Sequence, residues 1–323
     1  MAIPTLLGVA VIVFVLIRVA PGDPIAMMVS GEATPDDIAK LRALYGLDRS
    51  ISAQFLIFLK QLLHGDFGVS ISLHQDVLRV VLERLPATLE LAFTALLLAV
   101  VLGVSLALTS VYWRGRWEEV AADSVSAIAL AIPEFLWALM LILAFSVLLP
   151  IFPISGRIDP VNAAVFHTQF YLIESLVTGQ FGLAGELLQH LALPAVALAL
   201  PLTAVIARVL KSSLLDAVSQ EYILLARAEG FSPFYVLIRH ALPNALIPTV
   251  TITGVHFTLL IGGTVLVELI FAYPGIGNML YSAAINRDLP LMQGITIVFA
   301  LIFVVLNILI DLSYAAINPR VRQ

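Results

Sequence analysis

The residues best able to do chemistry are carboxylates set in apolar stretches. Glu134 follows Pro133 midway through residues 120–149, Glu268 lies near the end of 244–270, Glu90 opens 87–110, and Asp311 follows Asn307 by one turn in 292–316. A carboxylate at the centre of a membrane span costs roughly 2.5–3.5 kcal/mol on insertion scales, so each needs a reason to be there. Two roles fit Glu134: a pathway residue that meets a cationic or amine-bearing substrate, or a carboxylate paired with a neighbouring helix or protonated in place. Pro133 kinks its helix and frees a carbonyl, which favours a lumen-facing position. For Glu268 the expectation is snorkelling or a structural hydrogen bond to the Pro274-Gly275 turn, with substrate contact as the alternative. Glu90 is expected to be structural, and Asp311 with Asn307 to form an interhelical polar clamp. Gly262-Gly263 permits close backbone approach, at a gate, a dimer interface or an ordinary packing seam.

These groups do not assemble into an enzyme. No nucleophile–base pair and no His-Glu-x-x-His occurs, His256 has no metal-ligand partner at i±3 or i±4, and there is no cysteine. Catalytic and metal-binding residues are therefore assigned to none. A phosphate loop of the Gly-x-x-x-x-Gly-Lys-Ser/Thr kind is also missing, since Lys40, Lys60 and Lys211 are the only lysines and none follows such a loop. The chain is not expected to hold ATP itself.

The elements that must position these residues are membrane spans. Of 323 residues 60% are hydrophobic and 12% charged, far below the roughly 25% charged that covers a soluble surface. The net charge of -5, with no basic run, argues against a nucleic-acid partner. Crossing about 30 Å of hydrocarbon takes about 20 apolar residues. Six stretches qualify: 2–18, 87–110, 120–149, 188–210, 244–270 and 292–316. The first lacks a basic residue before its apolar run, and Arg18-Val19-Ala20-Pro21 is a poor cleavage site, so a retained helix is expected rather than a signal peptide. Placing 111–119, 208–240 and 317–323 in the cytoplasm collects Arg114, Arg116, Arg208, Lys211, Arg227, Arg239, Arg320 and Arg322 there, against Arg157 and Arg287 in the short outer connections. Both termini are then cytoplasmic. Between the first two spans, Thr34–Tyr45 is expected as a helix capped by Thr34 and stopped at Gly46, followed by an amphipathic stretch at Ile51–Leu63. The organisation expected is a first transmembrane helix at 1–19, an extracytoplasmic subdomain at 20–86 and a five-helix core at 87–323.

The segment between the fourth and fifth spans is the most informative. Ser219 is expected to cap a short helix that carries Glu221 in its first turn and stops at Gly230. Ser232-Pro233 opens another helix running to Leu242-Pro243. Two short helices joined at a glycine elbow, 219–243, result. Tyr222, Leu225, Phe234, Tyr235, Leu237 and Ile238 make the elbow too apolar for a solvated loop. It either rests in the lipid interface or inserts into a partner protein.

Here the chain resembles the permease subunits of the dipeptide/oligopeptide/nickel branch of ABC importers. Gly230 and Leu242-Pro243 match the spacing of the coupling loop, or EAA loop, of such permeases. The general family's Glu-Ala-Ala falls on Leu224-Leu225-Ala226 and its isoleucine on His240. Glu221-Tyr222, Ala226-Arg227-Ala228-Glu229-Gly230-Phe231 and Arg239-His240-Ala241-Leu242 look like the branch's variant. Pro21-Gly22-Asp23-Pro24, Gly65-Asp66-Phe67-Gly68-Val69-Ser70, Glu83-Arg84-Leu85-Pro86-Ala87-Thr88-Leu89-Glu90, Glu268 through Gly277 and Asn318-Pro319-Arg320-Val321 extend the resemblance along nearly the whole chain.

The resemblance implies an all-α polytopic protein with six transmembrane helices in the type I importer (MetI-like) permease fold. It implies a homologous second permease, two ABC ATPase subunits carrying ATP and Mg, an extracytoplasmic substrate-binding protein, and no cofactor on this chain. It makes the elbow the ATPase-docking element and peptides the leading substrate, with nickel complexes, opines or another small solute as alternatives. A secondary transporter is the alternative of a different class, but the internal repeats and stronger intramembrane charge set it calls for are not found.

Overall fold

The computed structural model describes residues 2–19, 49–159 and 166–317, and the side chains of most of them. The expected helix at Thr34–Tyr45 and the motifs Pro21-Gly22-Asp23-Pro24 and Asn318–Val321 lie outside the described residues, as does the side chain of Asp311. Among the described residues the elements are helical, with a single isolated bridge between Val69 and Asp76. In chain order they are α1 (Ala2–Val19), α2 (Ile51–Leu63), α3 (Val77–Tyr112), α4 (Trp117–Ala131), α5 (Glu134–Leu148), α6 (Tyr171–Val177), α7 (Phe181–Val218), α8 (Glu221–Ala228), α9 (Pro233–Ile270), α10 (Ile276–Ile285) and α11 (Leu289–Ile317).

The helices α3, α7, α9 and α11 are long and apolar enough to cross a membrane, and the bent pair α4–α5 supplies a fifth crossing if counted as one. At 18 residues α1 sits at the short limit for a span. At 36 and 38 residues, α3 and α7 run to roughly 54 and 57 Å at 1.5 Å per residue, well past the hydrocarbon. Both therefore extend beyond the expected stretches 87–110 and 188–210.

Two expectations about individual elements are corrected. Residues 120–149 do not form one kinked helix. The chain breaks at Ile132-Pro133, and α4 and α5 lie 102° apart. Ile132 takes φ -102°, ψ 125° because the proline ring after it excludes the helical region, and Pro133 itself is extended at ψ 149°. Nor does the helix after Ser232-Pro233 end at Leu242-Pro243. It continues as α9 to Ile270 through a π-helical turn at Leu237–Ala241. Pro243 brings no N–H, and the wider turn just before it is where the hydrogen-bond ladder changes register without breaking.

The chain divides into two compact units, residues 1–85 with 279–305 and residues 86–278 with 306–323. In the first, Ser50 caps α2 by accepting from Ala53 N, and Phe14 packs edge-on against Phe55 at 5.1 Å. Asp288 is fully buried there and caps α11. It accepts from Ser70 Oγ at 2.6 Å, Ser72 Oγ at 2.7 Å, Ser72 N at 2.9 Å and Leu291 N at 3.2 Å. In the second unit α7 is the central element, packing on α4, α5, α6 and α9. Gly103 of α3 lets the backbone come up against Ile206 and Thr203 of α7, where a β-carbon would overlap.

Candidate functional site

The elbow is built by local backbone rules. α8 ends in a Schellman motif: Gly230 N donates to Arg227 O at 3.0 Å and Phe231 N to Ala226 O at 3.4 Å, with Gly230 at φ +87°. Two residues later Ser232 Oγ accepts from Tyr235 N and Pro233 takes the first helical position. Ser219 does not cap α8. It ends α7, and its hydroxyl turns back to donate to Asp216 O at 2.7 Å; Gln220 takes the cap position but its side chain also turns back to Asp216 O and does not cap α8. Glu221 still stands in the first turn, where its charge favours the helix dipole.

Two faces follow from helical spacing. Ile223, Ala226, Val236, Leu237 and Ala241 are buried against Leu210, Leu214 and Ala217 of α7 and Ala107 of α3. Leu237, expected to need cover, is therefore covered within the chain. The opposite face stays bare: Leu225 is 62% exposed, Leu224 59% and Phe234 56%, with Tyr222, Phe231 and Tyr235 also exposed. Phe231 stacks on Tyr235 at 5.0 Å, and both lie within 6 Å of the His240 ring. Asn244 donates to the Tyr222 hydroxyl at 3.0 Å, tying α8 to α9. Arg227, Ala228, Glu229 and Gly230 are exposed at the apex, and Leu242 and Pro243 lie within α9, just after its π-helical turn.

The candidate pathway residues separate into two places. At the break, Glu134 opens α5 directly after Pro133 and lays its carboxylate against Gly263 of α9, where a β-carbon would overlap it. Gly262 beside it faces open space. Elsewhere in the same unit, Glu268 is fully buried and accepts from Thr88 Oγ1 at 2.6 Å and Asn278 N at 2.9 Å, while Thr88 Oγ1 accepts in turn from Ile276 N at 2.9 Å. A β-carbon at Gly275 would overlap that carboxylate, and one at Gly277 would overlap the α9 backbone at Val265 as well as the carboxylate. Glu268 thus fastens the end of α9 to the start of α10 and to α3.

A second buried carboxylate adjoins it. Glu90 accepts from Arg157 Nη2 at 2.6 Å and Leu172 N at 3.0 Å, and Arg157 also donates to Gln169 O and covers the Tyr171 ring at 3.9 Å. Gly156 N donates to Phe271 O, which docks this loop on the 268–278 turn. Tyr273 is buried beside Arg157, and burial pushes its hydroxyl well above the ordinary tyrosine pKa. Arg157 and Asp288 are the residues sequence reasoning missed. For Asp288 the signal was present: Asp-Leu-Pro before an apolar run is a helix start.

Comparison with known proteins identifies this architecture. Residues 99–323 match the family described as binding-protein-dependent transport system inner membrane component, and residues 1–92 match its N-terminal family. The Pseudomonas aeruginosa di/tripeptide transport system permease protein DppB is 38% identical over 99% of this chain and 96% of its own length. The probable D,D-dipeptide transport system permease protein DdpB of Escherichia coli K12 is 36% identical over 97% of this chain and 93% of its own. Among solved structures, a chain of the MetNI methionine ABC transporter in an inward-facing conformation aligns with a TM-score of 0.54 at 16% identity, over 74% of this chain and 96% of that one. A chain of an amino acid ABC transporter aligns at 0.51 and 16%, over 74% and 94%. With its helices, its elbow and these matches together, the chain belongs to the inner-membrane permease components of binding-protein-dependent ABC transport systems.

Proposed function

We propose that this chain forms half of the translocation pathway of an ATP-driven importer of di- or oligopeptides. A homologous permease supplies the other half, two ABC ATPase subunits bind ATP and Mg, and an extracytoplasmic binding protein delivers the peptide. Both termini lie in the cytoplasm, with 20–86 forming an extracytoplasmic subdomain. The peptide permeases among its relatives support the substrate class, with nickel complexes and opines as the chemical alternatives.

One observation carries the ATPase-docking role: the elbow is rigidly anchored on one face and apolar on the other. Ile223, Ala226, Val236 and Leu237 fix it to α3 and α7, while Tyr222, Leu224, Leu225, Phe231, Phe234 and Tyr235 remain bare. A lever transmits displacement only if it does not bend, and a bare aromatic patch is what a protein groove buries. Closure of the ATPases pushes this elbow, and α7 and α9, which flank it, carry the motion into the bundle. Resting in the lipid interface is the competing role. The test is Gly230→Pro, whose ring cannot adopt φ +87°, together with Arg227→Glu combined with Glu229→Arg. Uptake into vesicles should fall to background and ATPase subunits should no longer co-purify, with membrane insertion intact. If co-purification and uptake both survive, the elbow is not the docking element.

A further inference from the structure

The break between α4 and α5 brings two kinds of unmet electron-rich group together. The last turn of α4 has carbonyls whose helical donors are gone, because Pro133 has no N–H and α5 leaves at 102°. Trp137 Nε1 donates to Ala129 O at 3.3 Å and satisfies one of them. Among the described residues no backbone N–H is bonded to Leu130 O or Ala131 O. A helix C-terminus also carries partial negative charge.

Glu134 adds a carboxylate two to four residues further on. Among the described residues no hydrogen-bond donor or counter-ion meets its carboxylate, although the buried carboxylates Glu90, Glu268 and Asp288 each have at least two donors. It is half-buried and points at α9, since it rests on Gly263, and α5 packs on α7 and α9 with Ala138 fully buried. A mid-span carboxylate facing other helices without a partner marks a ligand position. The glycine at 263 leaves the carboxylate room that any side chain would fill.

The complementary ligand must be cationic, rich in N–H donors and compact. A primary ammonium has three donors on a tetrahedral point charge, one for the carboxylate and two for carbonyls. A hard metal cation would require six or more oxygens, and no cluster of metal-ligating side chains occurs among the described residues. We propose that the break is an ammonium subsite that receives the free α-amino group of a translocating peptide, with Glu134 as the counter-charge and the α4 carbonyls as acceptors. This rests on the chain being a peptide permease. The subsite selects at the amino end and is indifferent to the carboxyl end.

The test uses the assembled permease–ATPase complex without its binding protein, so that only the membrane site is read. Equilibrium dialysis compares dialanine, N-acetyl-dialanine and dialanine amide. Dialanine and its amide should bind alike, and N-acetylation should weaken binding about tenfold or more. Glu134→Gln and Gly263→Ala, which displaces the carboxylate, should each weaken dialanine by a similar factor while the ATPase subunits still co-purify. The acetyl comparison needs no variant, so a misassembled variant does not rescue the idea. Equal binding of acetylated and free peptide overturns the subsite, as does Glu134→Gln binding dialanine like the parent. Dialanine uptake into proteoliposomes, with the binding protein restored, separates the two levels. No peptide uptake removes the peptide reading and the subsite with it. Uptake with no dependence on the amino group removes the subsite alone.

Discussion

At the elbow, Leu224, Leu225 and Phe234 leave apolar surface bare, whereas at the 268–278 turn Glu90, Arg157 and Glu268 are ionisable groups shut away from solvent. Both places depend on glycine, for different reasons. At Gly230 the glycine supplies a left-handed residue, and at Gly275 and Gly277 it supplies room for a carboxylate. The elbow keeps its own backbone satisfied and leaves side chains over for something else. The turn directs its polar groups inward: Thr88, Ile276 and Asn278 are all bonded around Glu268, and Glu90 and Arg157 to each other, with the buried Arg157 Nε left over. A surface of the first kind is cheap to alter for folding; a network of the second kind is not.

The largest effect is expected where that contrast is sharpest. Arg157→Ala leaves Glu90 buried beside no counter-charge, a loss of about 3–5 kcal/mol of stability. The expected outcome is a marked drop in the melting temperature of the purified complex. Adding Glu90→Gln to Arg157→Ala should recover part of it, because the orphaned charge is then gone. A single substitution that melts like the parent would mean that the network is not the fastener described.

Asp288 sharpens the comparison from the other unit, because it is a buried carboxylate outside the spans. Burial raises its pKa, but the Ser70 and Ser72 hydroxyls and the Ser72 and Leu291 N–H groups outweigh it and hold the carboxyl below the ordinary aspartate value of 3.8. With the folded value below the unfolded one, the stabilisation is complete above the unfolded pKa and disappears as pH falls through the folded one. Melting temperature should therefore decline below about pH 4, and Asp288→Asn should flatten that decline while costing about 1 kcal/mol at neutral pH. An unchanged acid limb in the variant would locate the acid sensitivity elsewhere.

What was legible in the sequence follows from the range of the interactions. Gly230 and Ser232-Pro233 act on residues within four of themselves, so the elbow is legible in the local sequence. Ser219 was misplaced because a serine after an apolar helix can close the old helix or open the next, and only the Asp216 carbonyl decides. The continuity of α9 was hidden because proline conventionally ends a helix, while a π turn five residues long absorbs the defect. The Arg157–Glu90 pair spans 67 residues of sequence, and nothing local to either residue names the other. The break at Pro133 was legible as a kink; its size depended on Ile132 also leaving the helical region.

The smallest folding effect, and the one that separates the two regions most cleanly, belongs to the bare face of the elbow. Leu225→Ser and Tyr235→Ala each remove apolar surface that packs on nothing buried in the chain, so stability should move by no more than about 0.5 kcal/mol. Leu225 is 62% exposed, and the ring contacts of Tyr235 are with the exposed Phe231 and the half-buried His240. Ile223→Ser, two residues from Leu225 and on the opposite, anchored face, should destabilise by several-fold more, because Ile223 is fully buried among Leu210, Leu214 and Val236. The measurements are melting temperature and ATPase co-purification on the same preparations. If the elbow is a docking surface, the exposed pair loses co-purification at constant melting temperature, while Ile223→Ser loses both. Should Leu225→Ser and Tyr235→Ala leave co-purification intact, the bare face is a lipid contact, and the division between a surface reserved for a partner and a network reserved for the fold would not hold.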